Sequence, residues 1–170
     1  MSRPVFETFN SKWAERVIGR VSRSGIDSYL GIEAVACEPG RMVCEMAVTD
    51  ELITVMGTMH GGCLSALCDH VLGLVMYPIM PPGYWAATTE FKINLLAPVT
   101  GGVCTAAAEV ISMSKRQAVV RVEITNEPRS ENAASDRANQ DAAGDDAADS
   151  ARLVAVAQGT TTIVAPKTGT

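Results

Sequence analysis

An α+β domain, with an antiparallel sheet wrapped around one long central helix, is predicted by three observations. Residues 62–77 follow a helical pattern and are apolar at almost every position. The segments on either side shift towards a period of two and are rich in Val, Ile, Thr and aromatics, as strands are. A helix apolar on all sides is buried on all sides, and in a chain of 170 residues the simplest cover for it is a curled sheet. The order helix, two strands, buried helix, four strands makes that sheet antiparallel. A single domain over residues 1–170 is expected, because 47% apolar content is enough for one core.

Taken in order, Phe6, Phe9, Trp13, Val17 and Val21 recur at three- and four-residue steps. They predict one amphipathic helix within residues 1–25, with Pro4 tolerated near its start and Ser24-Gly25 ending it. Arg16, Arg20 and Arg23 fall on its solvated side. Residues 29–37 and 42–48 read as strands about the turn Glu38-Pro39-Gly40. A loop over 49–59 then leads into His60-Gly61-Gly62 and the central helix. Four further strands are expected over 85–96, 103–113, 118–127 and 154–164. Residues 128–151 interrupt them with Ala, Asp, Asn, Ser and Gly, and carry no aromatic and no Leu, Ile or Val. Such a segment buries too little apolar area to offset the entropy of ordering, so it is expected as a disordered insertion at the tip of a hairpin.

Charge and cysteine usage narrow the function classes. The net charge is −5, and the acidity is local: Glu131, Asp136, Asp141, Asp145, Asp146 and Asp149 face only Arg129 and Arg137 within the insertion. Without a basic surface, a nucleic-acid partner is not expected. Five cysteines (Cys37, Cys44, Cys63, Cys68, Cys104) are scattered among apolar residues, none paired at metal-site spacing, and only two histidines accompany them. They read as buried thiols in a reducing compartment, and no metal site is expected. The first residues include Arg3 and Pro4 but no apolar signal-like run. The most apolar stretch, 71–80, is short and closed by Pro78, Pro81 and Pro82, which argues against a membrane span. A soluble, cytoplasmic protein is the expectation.

The chemistry concentrates on the central helix. After its glycines it carries three polar side chains, Ser65, Asp69 and His70. An ionised carboxylate in an apolar helix is costly unless it is paired or has a task, which singles out Asp69. His60-Gly61-Gly62 stands where the first helical N–H groups lack internal partners, a setting suited to a phosphate, a carboxylate or a developing oxyanion. A plain loop-to-helix junction explains two glycines equally well. Nine residues separate His60 from Asp69, half a turn out of phase and about 13 Å along the axis. The helix-start amides and the carboxylate of one chain therefore cannot converge on one atom. If both serve one site, it is composite and lies across a two-fold dimer.

Gly57-Thr58-Met59-His60-Gly61-Gly62, followed by Asp69, resembles the G-x-x-H-G-G-x(6)-D motif of hotdog-fold thioesterases. The similarity is to the phenylacetate-degradation (PaaI-like) branch of the 4-hydroxybenzoyl-CoA thioesterase superfamily. The run Thr88-Thr89-Glu90-Phe91-Lys92-Ile93-Asn94-Leu95-Leu96-Ala97-Pro98 is similar to the strand that follows the helix in that family, and the likeness covers about residues 29–165 without the insertion. The resemblance implies a hotdog fold, a homodimer formed by joining two sheets, and in many relatives a tetramer. It implies an acyl-CoA substrate and no cofactor beyond the coenzyme A that the substrate carries. It also implies roles: the Gly61 N–H polarises the thioester carbonyl, His60 shapes that pocket, Asp69 of the partner subunit activates water or attacks directly, and Thr88 helps hold the water. Thr54, Gly57, Gly62, Ser65 and Lys92 would line the substrate. Thr54 stands where the family usually has Asn, and its hydroxyl is shorter and offers one donor.

Lesser candidates have plain readings beside them. His70 points about 100° from Asp69 and reads as a core or interface histidine. Ser65, four residues before Asp69, either bonds the carboxylate or bonds back to the helix. Lys92, Lys115 and Arg116 are the cations available for coenzyme A phosphates; Lys115-Arg116 also fits a solvated turn. Met56, Met59, Met76 and Met80 fit an acyl channel or the core equally. Cys63 and Cys68 lack a neighbouring His–carboxylate pair that would activate them as nucleophiles. Three function classes stay open: a thioesterase, a hotdog dehydratase or hydratase (for which His60 lacks a matching Glu on the helix), and a non-catalytic acyl-CoA-binding module, to which Thr54 lends weight.

Overall fold

The computed structural model describes residues 4–20, 24–128 and 151–166. Helix α1 is Ser11–Val17 and α2 is Ile26–Leu30; strands β1, Ile32–Glu38, and β2, Arg41–Ala47, precede the central helix α3, Gly61–Leu74. Strands β3 (Trp85–Leu95), β4 (Val103–Met113), β5 (Gln117–Glu127) and β6 (Arg152–Val164) follow. They form one sheet in the order β1-β2-β4-β5-β6-β3, and every neighbouring pair is antiparallel. This is the hotdog architecture that the sequence pointed to. The insertion expected at 128–151 lies outside the described residues over 129–150, but the strands that flank it pair antiparallel down to Asn126 and Arg152.

The N-terminal expectation needs correction. Instead of one helix within 1–25, α1 spans only Ser11–Val17, because the Asn10 side chain accepts the Trp13 N–H at 3.0 Å and starts the helix there. Phe6 lies before it, packed on the β1–β2 turn at Gly40. After Val17 the chain turns extended at Ile18, which bridges Ala34 of β1 in parallel. Val21, Arg23 and Arg3 lie outside the described residues. Tyr29, expected in a strand, belongs to α2.

The core explains the sheet. Leu64, Leu67, Cys68, Val71, Leu72 and Val75 recur at helical spacing and are all buried. They face strand residues that alternate inward, with small side chains (Cys104, Ala106, Ala108) on β4 and larger ones (Val120, Val122, Ile124) on β5. By length and composition the stretch Gly61–Ile79 would suffice to cross a membrane, but its large side chains fill this core instead. The prediction that α3 is buried on all sides is overturned. One six-stranded sheet covers one face of a helix, and Gly62 and Asp69 on the other face are exposed, with Ser65, Ala66, His70 and Gly73 half-buried.

Gly159 on β6 shows how tightly α3 and β3 are clamped. A Cβ there would stand 2.6 Å from the Phe91 Cβ, 2.7 Å from the Glu90 carbonyl oxygen and 3.2 Å from Leu72. Backbone cannot yield as a side-chain tip does, so Gly159→Ala is expected to cost about 1–3 kcal/mol of stability. Chemical denaturation checks this, and an unchanged midpoint would contradict the packing described.

Candidate functional site

Two clefts open at different points along α3. The first lies at its N-terminus. Backbone bonds from Met59 N–H to the Val99 carbonyl (2.7 Å) and from His60 N–H to the Leu52 carbonyl (2.9 Å) fix the approach to the helix. His60 is the N-cap: its Nδ1 accepts the Gly62 N–H at 2.8 Å, and its carbonyl accepts the Cys63 N–H at 2.9 Å. The Gly61 N–H, by contrast, finds no acceptor among the described residues. Gly61 lines a cleft of about 330 Å³ together with Met59, Leu64 and the stretch from Leu95 to Val99. So of the two glycine amides expected to meet a substrate, Gly61 is available and Gly62 is already taken by His60.

The second cleft, about 830 Å³, holds Asp69, His70 and Thr88 together with Trp13, Gly73, Leu74, Tyr77, Thr89, Glu90 and Phe91. Thr88 arrives there from β3 just before a bulge, where Thr88 pairs with Thr161 and Glu90 with Thr160. Its hydroxyl has no hydrogen-bond partner among the described residues, whereas Glu90 accepts from the Thr160 hydroxyl at 2.6 Å. Burial holds the His70 imidazole below its ordinary range, against the charges of Asp27 and Asp69, which pull it up. His70 thus shares the Asp69 cleft, although adjacent helical residues diverge. The Asp69 carboxylate itself is exposed in the single chain. The expectation of a charge sequestered in apolar surroundings does not hold there, because the open face of α3 has no sheet over it.

The two clefts share no lining residue. Asp69 and Thr88 meet in one and Gly61 lies in the other, as the helical spacing required.

The remaining candidates separate clearly. The Ser65 hydroxyl donates to the Gly61 carbonyl at 3.0 Å, the back-bonded alternative. Thr54 closes its own turn: its hydroxyl donates to the Thr58 carbonyl at 2.9 Å and accepts the Met56 N–H at 3.3 Å. Gly57 completes that turn at a φ of 77°, so its place is explained by backbone conformation. Lys92 is exposed and donates to Asn94 at 2.7 Å; Lys115 and Arg116 are exposed in the β4–β5 turn. Met59, Met76 and Met80 are buried core residues, and Met56 is exposed on the loop. Burial pushes the Cys44 and Cys68 thiols up to about 12 and Cys104 up to about 11, and raises Cys63 as well, which leaves no activated thiol among them. Among the cleft residues that sequence reasoning does not single out are Gly73, Glu90, and Trp13 and Tyr77, whose rings stack with centroids 5.6 Å apart.

A family model described as the thioesterase superfamily matches residues 56–133. A 1,4-dihydroxy-2-naphthoyl-CoA hydrolase of Listeria monocytogenes is 31% identical over 103 residues, which cover 61% of this chain and 84% of that protein. The acyl-coenzyme A thioesterase PaaI of Escherichia coli is 30% identical over 99 residues, 58% of this chain and 69% of its own length. Among solved structures, a thioesterase from Haemophilus influenzae superposes with a TM-score of 0.69 at 22% identity, over 98% of this chain and 96% of that one. At that identity the likeness is one of fold.

Proposed function

This chain belongs to the thioesterase superfamily, and on that premise we propose that it hydrolyses the thioester of a small or medium acyl- or aryl-acyl-CoA at a site shared by two protomers. One observation carries the reading: the open Gly61 amide and the Asp69–Thr88 pair sit in separate clefts of one helix. Each is half of a hydrolytic site. A second copy laid antiparallel over the open face of α3 brings one half against the other, twice, and covers the exposed Asp69 carboxylate.

In the reaction, the Gly61 N–H holds the thioester carbonyl oxygen at the helix start, where the dipole is positive. The Asp69 carboxylate of the other protomer takes a proton from a water steadied by the Thr88 hydroxyl. The hydroxide adds to the carbonyl carbon, and negative charge builds on the oxygen facing Gly61. Collapse breaks the carbon–sulfur bond, and the proton held by Asp69 passes to the departing thiolate. Direct attack by Asp69 through an anhydride, later hydrolysed, uses the same groups. His60 contributes by position: it caps the helix through Gly62 and leaves the Gly61 amide open. The sequence of steps draws on no metal or redox group, and coenzyme A enters only as part of the substrate. Free thiols at all five cysteines suit a reducing, cytoplasmic setting.

The engagement of Thr54 in its own turn favours a second reading, a non-catalytic acyl-CoA-binding module, since its hydroxyl is committed there and not to a substrate. Release of free thiol from a panel of short, long and aromatic acyl-CoAs, followed with a thiol reagent, decides between them. The thioesterase reading expects release from at least one class. Saturable binding with no thiol released from any would establish the binding module instead.

A further inference from the structure

The Asp69 cleft has two ends of different chemistry. Asp69 and Thr88 mark the polar end, and Leu74, Tyr77 and Trp13 wall the other. Asp69 and Gly73 lie four residues apart on one face of α3, about 6 Å along it, and Tyr77 opens the 3-10 turn that continues the chain beyond the end of α3 at Leu74. Gly73 stands in the middle. A glycine inside a helix weakens it relative to alanine, so its presence calls for a reason. Packing within the protomer supplies none, because a Cβ built on Gly73 meets nothing within 4 Å, in contrast to Gly159. The cleft does supply one: a side chain at this position would occupy it. At the far end the Trp13 and Tyr77 rings stack within 9° of parallel, and α1 is tied to the turn after α3 by the Asn10 N–H on the Pro78 carbonyl at 2.7 Å.

The geometry points to an acyl-length gauge, in which Gly73 keeps the channel open and the Trp13–Tyr77 pair closes it. This rests on the thioesterase reading above and adds which part of the substrate the cleft takes. The acyl group is favoured over the coenzyme A arm because no Lys or Arg among the described residues lines the cleft, whereas Asp69 and Glu90 would repel phosphates. The α-helical rise to Leu74 and the larger rise of the tighter turn to Tyr77 together advance about 13 Å from Asp69. An extended carbon chain advances about 1.3 Å per carbon, so straight acyl groups of about eight to ten carbons reach the aromatic wall.

The test is kcat/KM, by thiol release, across straight-chain substrates from acetyl-CoA to palmitoyl-CoA for the wild type, Gly73→Leu and Trp13→Ala. For the wild type, kcat/KM should climb about 4-fold per methylene until the wall is reached, then stop climbing. Gly73→Leu should lower the ratio of decanoyl- to acetyl-CoA hydrolysis by about 10²-fold, the loss of some four methylenes of contact. Its thermal midpoint should not fall, since leucine is the better helix former. Trp13→Ala should move the cut-off to longer chains. A Gly73→Leu variant that loses activity equally at every length, or keeps the wild-type length profile, overturns the gauge while leaving the thioesterase reading intact. A wild type that releases no thiol from any substrate overturns both.

Discussion

Asp69→Asn is expected to lower turnover by about 10²–10⁴-fold, the usual contribution of a positioned base or nucleophile. The substitution keeps the shape of the side chain and removes its charge. Because Asp69 is exposed in the single chain and has no hydrogen-bond or ion-pair partner among the described residues, the fold should be indifferent to the change. The loss should therefore fall on kcat, with an unchanged thermal midpoint. Glu90→Gln serves as the control. It removes the other carboxylate of the same cleft, one already engaged with Thr160, and should cost far less. Near-normal turnover in Asp69→Asn would remove Asp69 from the chemistry, and a large loss in Glu90→Gln alone would move the role to that residue.

The sequence was most legible where one periodicity met one environment. Strand β4 was predicted to the residue over Val103–Met113, since Cys104, Ala106, Ala108 and Val110 alternate inward between two turn signals. Helix α1 was overextended because aromatic spacing alone cannot see a competing cap: Asn10 starts the helix after Phe6, which packs at Gly40, and after Phe9, which stays exposed. The burial of Asp69 was misjudged for a related reason. Cys63, Ala66 and Leu74 made the helix look apolar all round, but a sheet covers only one face, and these three sit half-buried on its flanks. The phase between His60 and Asp69 was nonetheless readable, because helical geometry is local. The Trp13–Tyr77 stack was not, because it joins residues far apart in sequence through α1 and the turn after α3, a contact that no periodicity encodes.

Gly61→Pro tests the composite site most directly. Gly61 is the first residue of α3, where proline is tolerated because its missing N–H would have no helical partner. His60 before it has φ −64° and ψ 130°, the extended backbone that a following proline prefers. The nearest obstacle to a Cβ at Gly61 is the tip of the Leu95 side chain at 2.6 Å, and Leu95 is half exposed and free to turn. The variant should fold, keep the His60 cap on Gly62, and lack only the proposed oxyanion donor, for a loss of about 10²–10³-fold. Pairing it with Asp69→Asn turns two dead enzymes into a measurement. A dimer of one Gly61→Pro protomer and one Asp69→Asn protomer combines both defects in one shared site and leaves the other site whole. Isolated with two affinity tags, that mixed dimer should recover about half the wild-type activity per dimer, as two equivalent sites require. If each protomer carried its own complete site, both sites of the mixed dimer would be broken and activity would stay at the level of the parents.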